Sequence, residues 1–357
     1  MQKENPAGFL NFLHSFRGFA IISIVSGHAV SALYITAYHK YNWSDPILYI
    51  NEILFNQCTL YFALISGLLF SAVLKERSYT KFYKNKILFV FLPYLFFTIF
   101  YSFVKFKRYN LIYIDQIDQV LNNLFANLLF GGGNFVLWYI PVLFGLYILT
   151  PLFSFLLRHK KQTNVILWLI ILIPLISSCI KFQIMYEFIV IKIIYFSGAY
   201  VLGMYLGENI ESSLNWVKLY LFQILFIVFV SSILLFYLHY YNIHKYGRIN
   251  ILEAVYYIQK IFLAGVILVL FKNLGQLQPL WLSKVAVDST PIYFIHGAIV
   301  YSCASLFLFI HVDKTYALLT IFSGAIALTV FTIIVSMLIS ALIKKIFGKT
   351  SRFIMGA

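Results

Sequence analysis

Two residues in the first apolar stretch, LHSFRGFAIISIVSGHAV (13–30), carry side chains that do chemistry: Arg17 and, eleven residues later, His28. Eleven residues of α-helix advance about 16 Å and turn about 1,100°, within about 20° of three full turns. Arg17 and His28 therefore share one helix face, the cation near one end and the imidazole well inside. A guanidinium grips anionic groups through a rigid fork of donors. An imidazole is a general base near neutral pH. The pair suits a ligand with an anionic head and a reactive tail. The plainer readings are that Arg17 snorkels to lipid phosphates and that His28 bonds a neighbouring helix.

Four further groups carry candidates. In YFALISGLLFS (61–71) the small pair Ser66 and Gly67 interrupts a bulky run; it either packs two helices closely or opens a cavity. Lys75, Arg77, Lys81, Lys84 and Lys86 follow, a cluster that meets anionic lipid or docks phosphates. Trp138 and Tyr139 lie just after Gly131, Gly132 and Gly133 and before Pro141, as interfacial aromatics or as a cavity wall. His296, with Asp288, Ser289 and Tyr293 before it, is a second histidine inside an apolar run. No metal site is expected. Cys58, Cys179 and Cys303 are scattered through apolar segments without ligand spacing or a disulfide framework. No zincin pair, P-loop or Gly-x-Ser-x-Gly elbow occurs.

These residues must be held by helices in lipid. Only 11% of the 357 residues are charged and 62% are hydrophobic, where soluble domains carry roughly 25% charged residues. The apolar runs are continuous, which excludes the alternation of a β-barrel. An all-α polytopic membrane protein is expected, with about ten transmembrane helices in one bundle and no soluble domain. The spans fall at about 17–38, 53–74, 87–104, 134–157, 164–180, 187–206, 216–238, 252–271, 286–310 and 315–343, each near the 20 residues a crossing needs. Residues 120–130 are apolar but too short to cross, and read as re-entrant or interfacial. The whole of 1–357 reads as a single transmembrane domain, with short tails at about 1–12 and 344–357 and an uncleaved first span.

The net charge of +15 sits in short loops between apolar runs, not on one soluble face. That favours membrane topology over a nucleic-acid partner. With the N-terminus cytoplasmic, inner loops hold about twice the Lys and Arg of outer ones, which puts both termini inside. The external KFKR run at 105–108 runs against the bias.

Taken in order, these residues resemble the acyltransferase-3 family of bacterial membrane O-acyltransferases. The carriers are Arg17 with ten residues before His28, FALISGLLF (62–70), the basic run into Pro93 and Tyr94, LWYIPVLF (137–144), FSGAYVLGMYLG (196–207) and STPIYFIHGAI (289–299). The resemblance extends from about residue 8 to 347. It implies transfer of an acyl group, commonly acetyl, from acyl-CoA as co-substrate, with no bound cofactor, to a carbohydrate hydroxyl. It implies a multi-pass protein of the bacterial cytoplasmic (inner) membrane, in contact with membrane lipid. His28 is then catalytic, and Arg17, Arg77, Lys81, Lys84 and Lys86 bind acyl-CoA. Ser66, Gly67, Trp138, Tyr139, Tyr293 and His296 line the cavity. The chain departs from many relatives at Gln57-Cys58-Thr59, where an acidic residue is common, so His28 has no assigned carboxylate partner.

Two rivals share this composition. A polysaccharide flippase or exporter needs no acyl-CoA, so its basic cluster would be topology alone. A glycan polymerase is expected to carry a large outer loop, which this chain lacks. The acceptor stays open among O-antigen, capsule, exopolysaccharide and peptidoglycan, and direct transfer stays open against an acyl-histidine relay.

Overall fold

The computed structural model describes residues 6–38, 45–75, 78–108, 117–179, 187–306 and 316–356. Sixteen helices carry almost all of these residues. The first, α1 (Pro6–Tyr38), is followed by α2 (Pro46–Phe55) and α3 (Thr59–Leu69). Asp45 caps α2 by accepting from Ile47 N, and Pro46 opens it, a favoured pairing at a helix start. A π-helical turn (Phe70–Leu74) extends α3. Next come α4 (Tyr79–Lys86), a second π turn (Ile87–Phe91) and α5 (Leu92–Arg108). Pro93 has no N–H to give to Phe89 O, and the helix relaxes to a wider register just before it.

The chain continues through α6 (Ile117–Phe130), α7 (Tyr139–Arg158), α8 (Lys160–Leu172), α9 (Glu187–Glu208), α10 (Ile210–Leu219) and α11 (Leu221–Tyr240). A small antiparallel hairpin of β1 (Lys245–Tyr246) and β2 (Ile249–Asn250) pairs Lys245 with Asn250 and turns at Gly247. The remaining helices are α12 (Ile251–Leu274), α13 (Leu280–Val287), α14 (Ser289–Ala304), α15 (Ala317–Phe347) and the short α16 (Ser351–Met355).

Among the described residues, eight helical stretches are long and apolar enough to cross a membrane, against the ten expected. The fifth expected span is broken: α8 stops at Leu172 and passes into a 3₁₀ turn through Pro174. The ninth is α14, only 16 residues long. The 120–130 segment is α6, which packs on α5. Tyr94 OH, near the start of α5, donates to Leu128 O at 2.6 Å, and Asn127 Nδ2 donates to Ser102 Oγ at 2.9 Å. The last turn of α6 thus meets α5 between Tyr94 and Ser102, and Lys105 Nζ donates to Gly132 O just beyond it at 3.1 Å. The segment expected as re-entrant or interfacial is therefore a helix whose C-terminal end is held by α5.

The hub is α1, which packs against α2, α3, α12, α13, α14 and α15. The tightest crossing is α3 on α9. A Cβ on Gly67 would fall 2.0 Å from Tyr200 O, and one on Gly203 would fall 2.1 Å from Leu64 O. Each helix lends a glycine to the other's backbone, the close approach small residues permit in membranes.

Candidate active site

Arg17 lies about three turns into α1. Its Nη2 donates to Thr290 Oγ1 on α14 at 2.8 Å. Further along the same faces, the rings of His28 and His296 lie 5.4 Å apart between centroids. Thr290 meets Arg17 and His296 meets His28, so α1 and α14 run parallel. Thr290, Tyr293 and His296 follow each other at i, i+3 and i+6 on one face of α14. Two helices thus present matched polar stripes to one another.

The imidazole of His296 is fully buried. Its Nδ1 lies 3.0 Å from Ile292 O and 2.8 Å from Tyr293 O. Carbonyls only accept, so in the neutral ring Nδ1 carries the proton and Nε2 the lone pair. Nε2 has no partner among the described residues. An acceptor buried without a partner is uncommon and marks a site meant for something else. His28 is partly exposed, and Phe135 meets its ring edge-on at 5.2 Å. Phe135 belongs to the 131–138 turn between α6 and α7. That turn reaches this depth because Gly131 takes a φ of +69°, open to glycine, and because Gly297 leaves room for Val136. Tyr293 OH donates to Val136 O and pins the turn in place.

At the Arg17 end lies a cavity of about 170 Å³, lined by Arg17, Ser66, Lys86, Tyr139, Ser289 and Tyr293 above an apolar wall that includes Phe62, Ile65 and Leu143. No carboxylate pairs with Arg17 or Lys86 among the described residues; the ion pairs use Lys75, Lys160, Lys192, Lys272 and Lys344. Lys86 Nζ instead sits 4.4 Å from the centre of the Tyr147 ring. Tyr139 OH and Ser289 Oγ are buried without partners among the described residues. The cavity therefore offers two uncompensated cations and two idle hydroxyls, an environment for an anionic or carbonyl-bearing ligand. Both π turns border it, through Leu74 and Val90. Such turns recur at functional sites because they re-aim side chains.

Several sequence candidates fall elsewhere. Gly67 faces α9 rather than the cavity. Trp138 packs edge-on against Phe196 at 5.7 Å and begins α7. Lys81 and Lys84 are exposed on α4, and Arg77 lies outside the described residues. Thr290 was not singled out from sequence, and Ser289 was named only as a neighbour of His296. The available signal was the three-residue spacing that puts Thr290 on the face of Tyr293 and His296.

The fold and the site together define a multi-pass helical membrane protein with a histidine pair beyond a cationic cavity. A family model described as an acyltransferase domain, that of the acyltransferase-3 family, matches residues 10–341. The chain belongs to that family, and is a membrane acyltransferase. No curated protein and no solved structure matches it.

Proposed function

We propose that the chain moves an acyl group, acetyl in the simplest case, from acyl-CoA to a hydroxyl of a cell-surface or lipid-linked glycan, with His28 as general base. The observation that carries the reading is the alignment of a cationic cavity and a histidine pair on the paired faces of α1 and α14. The chain sits in the bacterial cytoplasmic membrane with both termini inside, and the donor enters from the cytoplasm. Its phosphates meet Arg17 and Lys86 as charge-assisted hydrogen bonds, with Lys81 and Lys84 exposed on α4. The thin pantetheine arm passes along the Arg17–His28 face, about 16 Å of helix. The thioester then lies beside the two imidazoles.

The acceptor hydroxyl attacks the thioester carbonyl. His28 takes its proton as the new C–O bond forms, the C–S bond breaks, and the proton passes to the departing thiolate. His296 presents Nε2 as a neighbouring acceptor for that proton or for the His28 ring. A general base in this role contributes roughly 10²–10⁴-fold. Holding donor and acceptor in one site supplies a further large share.

The test is to express wild type and His28→Ala in the native host at equal membrane levels and to weigh the surface glycan before and after mild base. A base-labile acyl increment with wild type alone is expected, together with loss of thioester consumption by the purified variant. Full transfer by His28→Ala removes His28 from the chemistry. No increment with either chain, and no thioester consumption by wild type, returns the exporter reading.

A further inference from the structure

Away from the Arg17 cavity, the junction of α2 with α3, the start of α9 and the hairpin between α11 and α12 border a second space that carries several polar and charged groups. One lobe of about 230 Å³ is lined by Glu52, Asn56, Gln57, His244, Asn250 and Glu253, with one aliphatic side chain, Leu252. A second lobe of about 380 Å³ shares Asn250 and Glu253 and adds Lys192, Lys245 and Arg248. The two lobes adjoin at Asn250 and Glu253, and the lining of this groove changes from carboxylate and amide to cationic.

The groove is built, not accidental. Gln57 holds a φ of +59°, a region that costs a non-glycine residue energy and that clusters at functional positions. Lys260, wholly buried, donates to Ile53 O and Leu54 O at 2.8 and 3.0 Å. That fixes the end of α2 where the amides of Asn56 and Gln57 emerge. His239 Nε2 and Tyr256 OH lock together at 2.6 Å to form the back wall. Asn250 Oδ1 caps α12 by accepting from Glu253 N, which leaves its amide hydrogens unused among the described residues. Lys192 neutralises Glu253 at 3.0 Å. Lys245 and Arg248 are exposed on the hairpin and pair with no carboxylate among the described residues.

The position relative to the histidines follows from packing. Asn51 on α2 bonds Ser31 on α1, and Phe55 abuts Gly27, the residue before His28. Glu52 and Asn56 therefore stand at the depth of His28 and not of Arg17. Planar carboxylates and amides bridge neighbouring hydroxyls on a sugar ring, each of which both donates and accepts. A guanidinium and an ammonium with no partner select a carboxylate or phosphate.

We propose that this groove holds the acceptor, and that the acceptor is an acidic glycan: a hydroxyl-rich sugar in the first lobe, and a neighbouring anionic group, uronate or phosphate, on Lys245 and Arg248. The proposal rests on the acyl-transfer reading for its link to the histidines, but the binding is read on its own. Phe188 lines the cationic lobe and is 55% exposed, so it accepts the photo-crosslinking residue p-benzoylphenylalanine without disturbing a core. Val165 on α8, 70% exposed and outside both lobes, serves as control.

The full chain, carrying the probe at either position, is irradiated in the cells that make its glycan, and the adducts are identified by mass spectrometry. A sugar-bearing adduct is expected from position 188 alone. Phosphorus in its mass assigns phosphate, and carbodiimide labelling assigns uronate. Gln57→Gly, which removes the amide and eases the backbone, lowers capture, and Lys245→Ala with Arg248→Ala lowers it about tenfold. Glycerophospholipid or no adduct at 188, or sugar at both positions alike, overturns the site. Capture untouched by the hairpin substitutions overturns the acidic acceptor. Sugar capture without base-labile acylation would keep the groove and reject acyl transfer; acylation without capture would do the reverse.

Discussion

Two regions of this molecule bury the same kinds of side chain to opposite ends. Beside α2, Lys260 and His239 are enclosed: the ammonium donates to two carbonyls and His239 Nε2 is bonded to Tyr256 OH. Between α1 and α14, among the described residues, Arg17 makes one hydrogen bond, to Thr290, and faces a cavity, while His296 Nε2 has no partner. A membrane interior makes any ionisable group costly. Lys260 offsets that cost inside the protein, by capping the last turn of α2 where carbonyls lack helical partners. Arg17 and His296 leave it unmet, and the unmet capacity is what a ligand takes up. Satisfaction, more than burial, separates the architectural ion from the functional one.

The largest expected effect comes from the under-satisfied region. His28→Ala and His296→Ala each lower acyl transfer roughly 10²–10⁴-fold, the range of a lost general base. The double variant falls no further, because residues that act as a unit are not additive. Turnover measured per folded molecule checks this, and an additive double variant breaks the pairing. Arg17→Ala comes next, with a loss of roughly 10–100-fold carried mainly in the KM for acyl-CoA. Arg17→Lys recovers part of it, since an ammonium keeps the charge but loses the fork. An unchanged KM separates Arg17 from the donor.

Much of this arrangement was legible in the sequence because helical periodicity is rigid. Arg17 and His28 could be placed on one face from their spacing, and the long apolar runs required membrane helices. The pairing of α1 with α14 was not legible, because nothing local brings Thr290 to Arg17 across more than 270 residues. Gly67 shows the limit in another way. A glycine beside a serine reads equally as cavity or as packing, and only the approach of the Tyr200 carbonyl separates Gly67, on the crossing, from Ser66, on the cavity. The seating of α6 on α5 depends on Tyr94 and Ser102, neither of which lies in the segment they hold. Two of the ten expected spans fall short for plainer reasons: hydropathy does not register that Pro174 breaks one run, and α14 has only 16 residues.

The enclosed region predicts a different phenotype. Lys260→Met keeps the length and apolar stem of the side chain but withdraws the cap from Ile53 O and Leu54 O. Stranding buried carbonyls costs about 1–3 kcal/mol, read as a lower melting temperature of the purified protein, while the KM for acyl-CoA stays at its wild-type value. A raised KM with unchanged melting would invert the assignment and make Lys260 a ligand-facing cation like Arg17.

The smallest effect tests how far the cationic region extends. Lys81 and Lys84 share the basic cluster with Lys86 in sequence, yet only Lys86 reaches the cavity. Exposed charges act through high-dielectric water and are screened within about 8–10 Å at ordinary ionic strength. Lys81→Ala with Lys84→Ala therefore raises the KM for acyl-CoA by only about two- to threefold at low salt, and the difference vanishes as salt is added. Lys86→Ala, acting inside the cavity, raises it more and keeps most of its effect in salt. If the exposed pair instead matches Lys86 and resists screening, the donor's phosphates rest on the surface of α4, and the cavity holds only the arm that follows them.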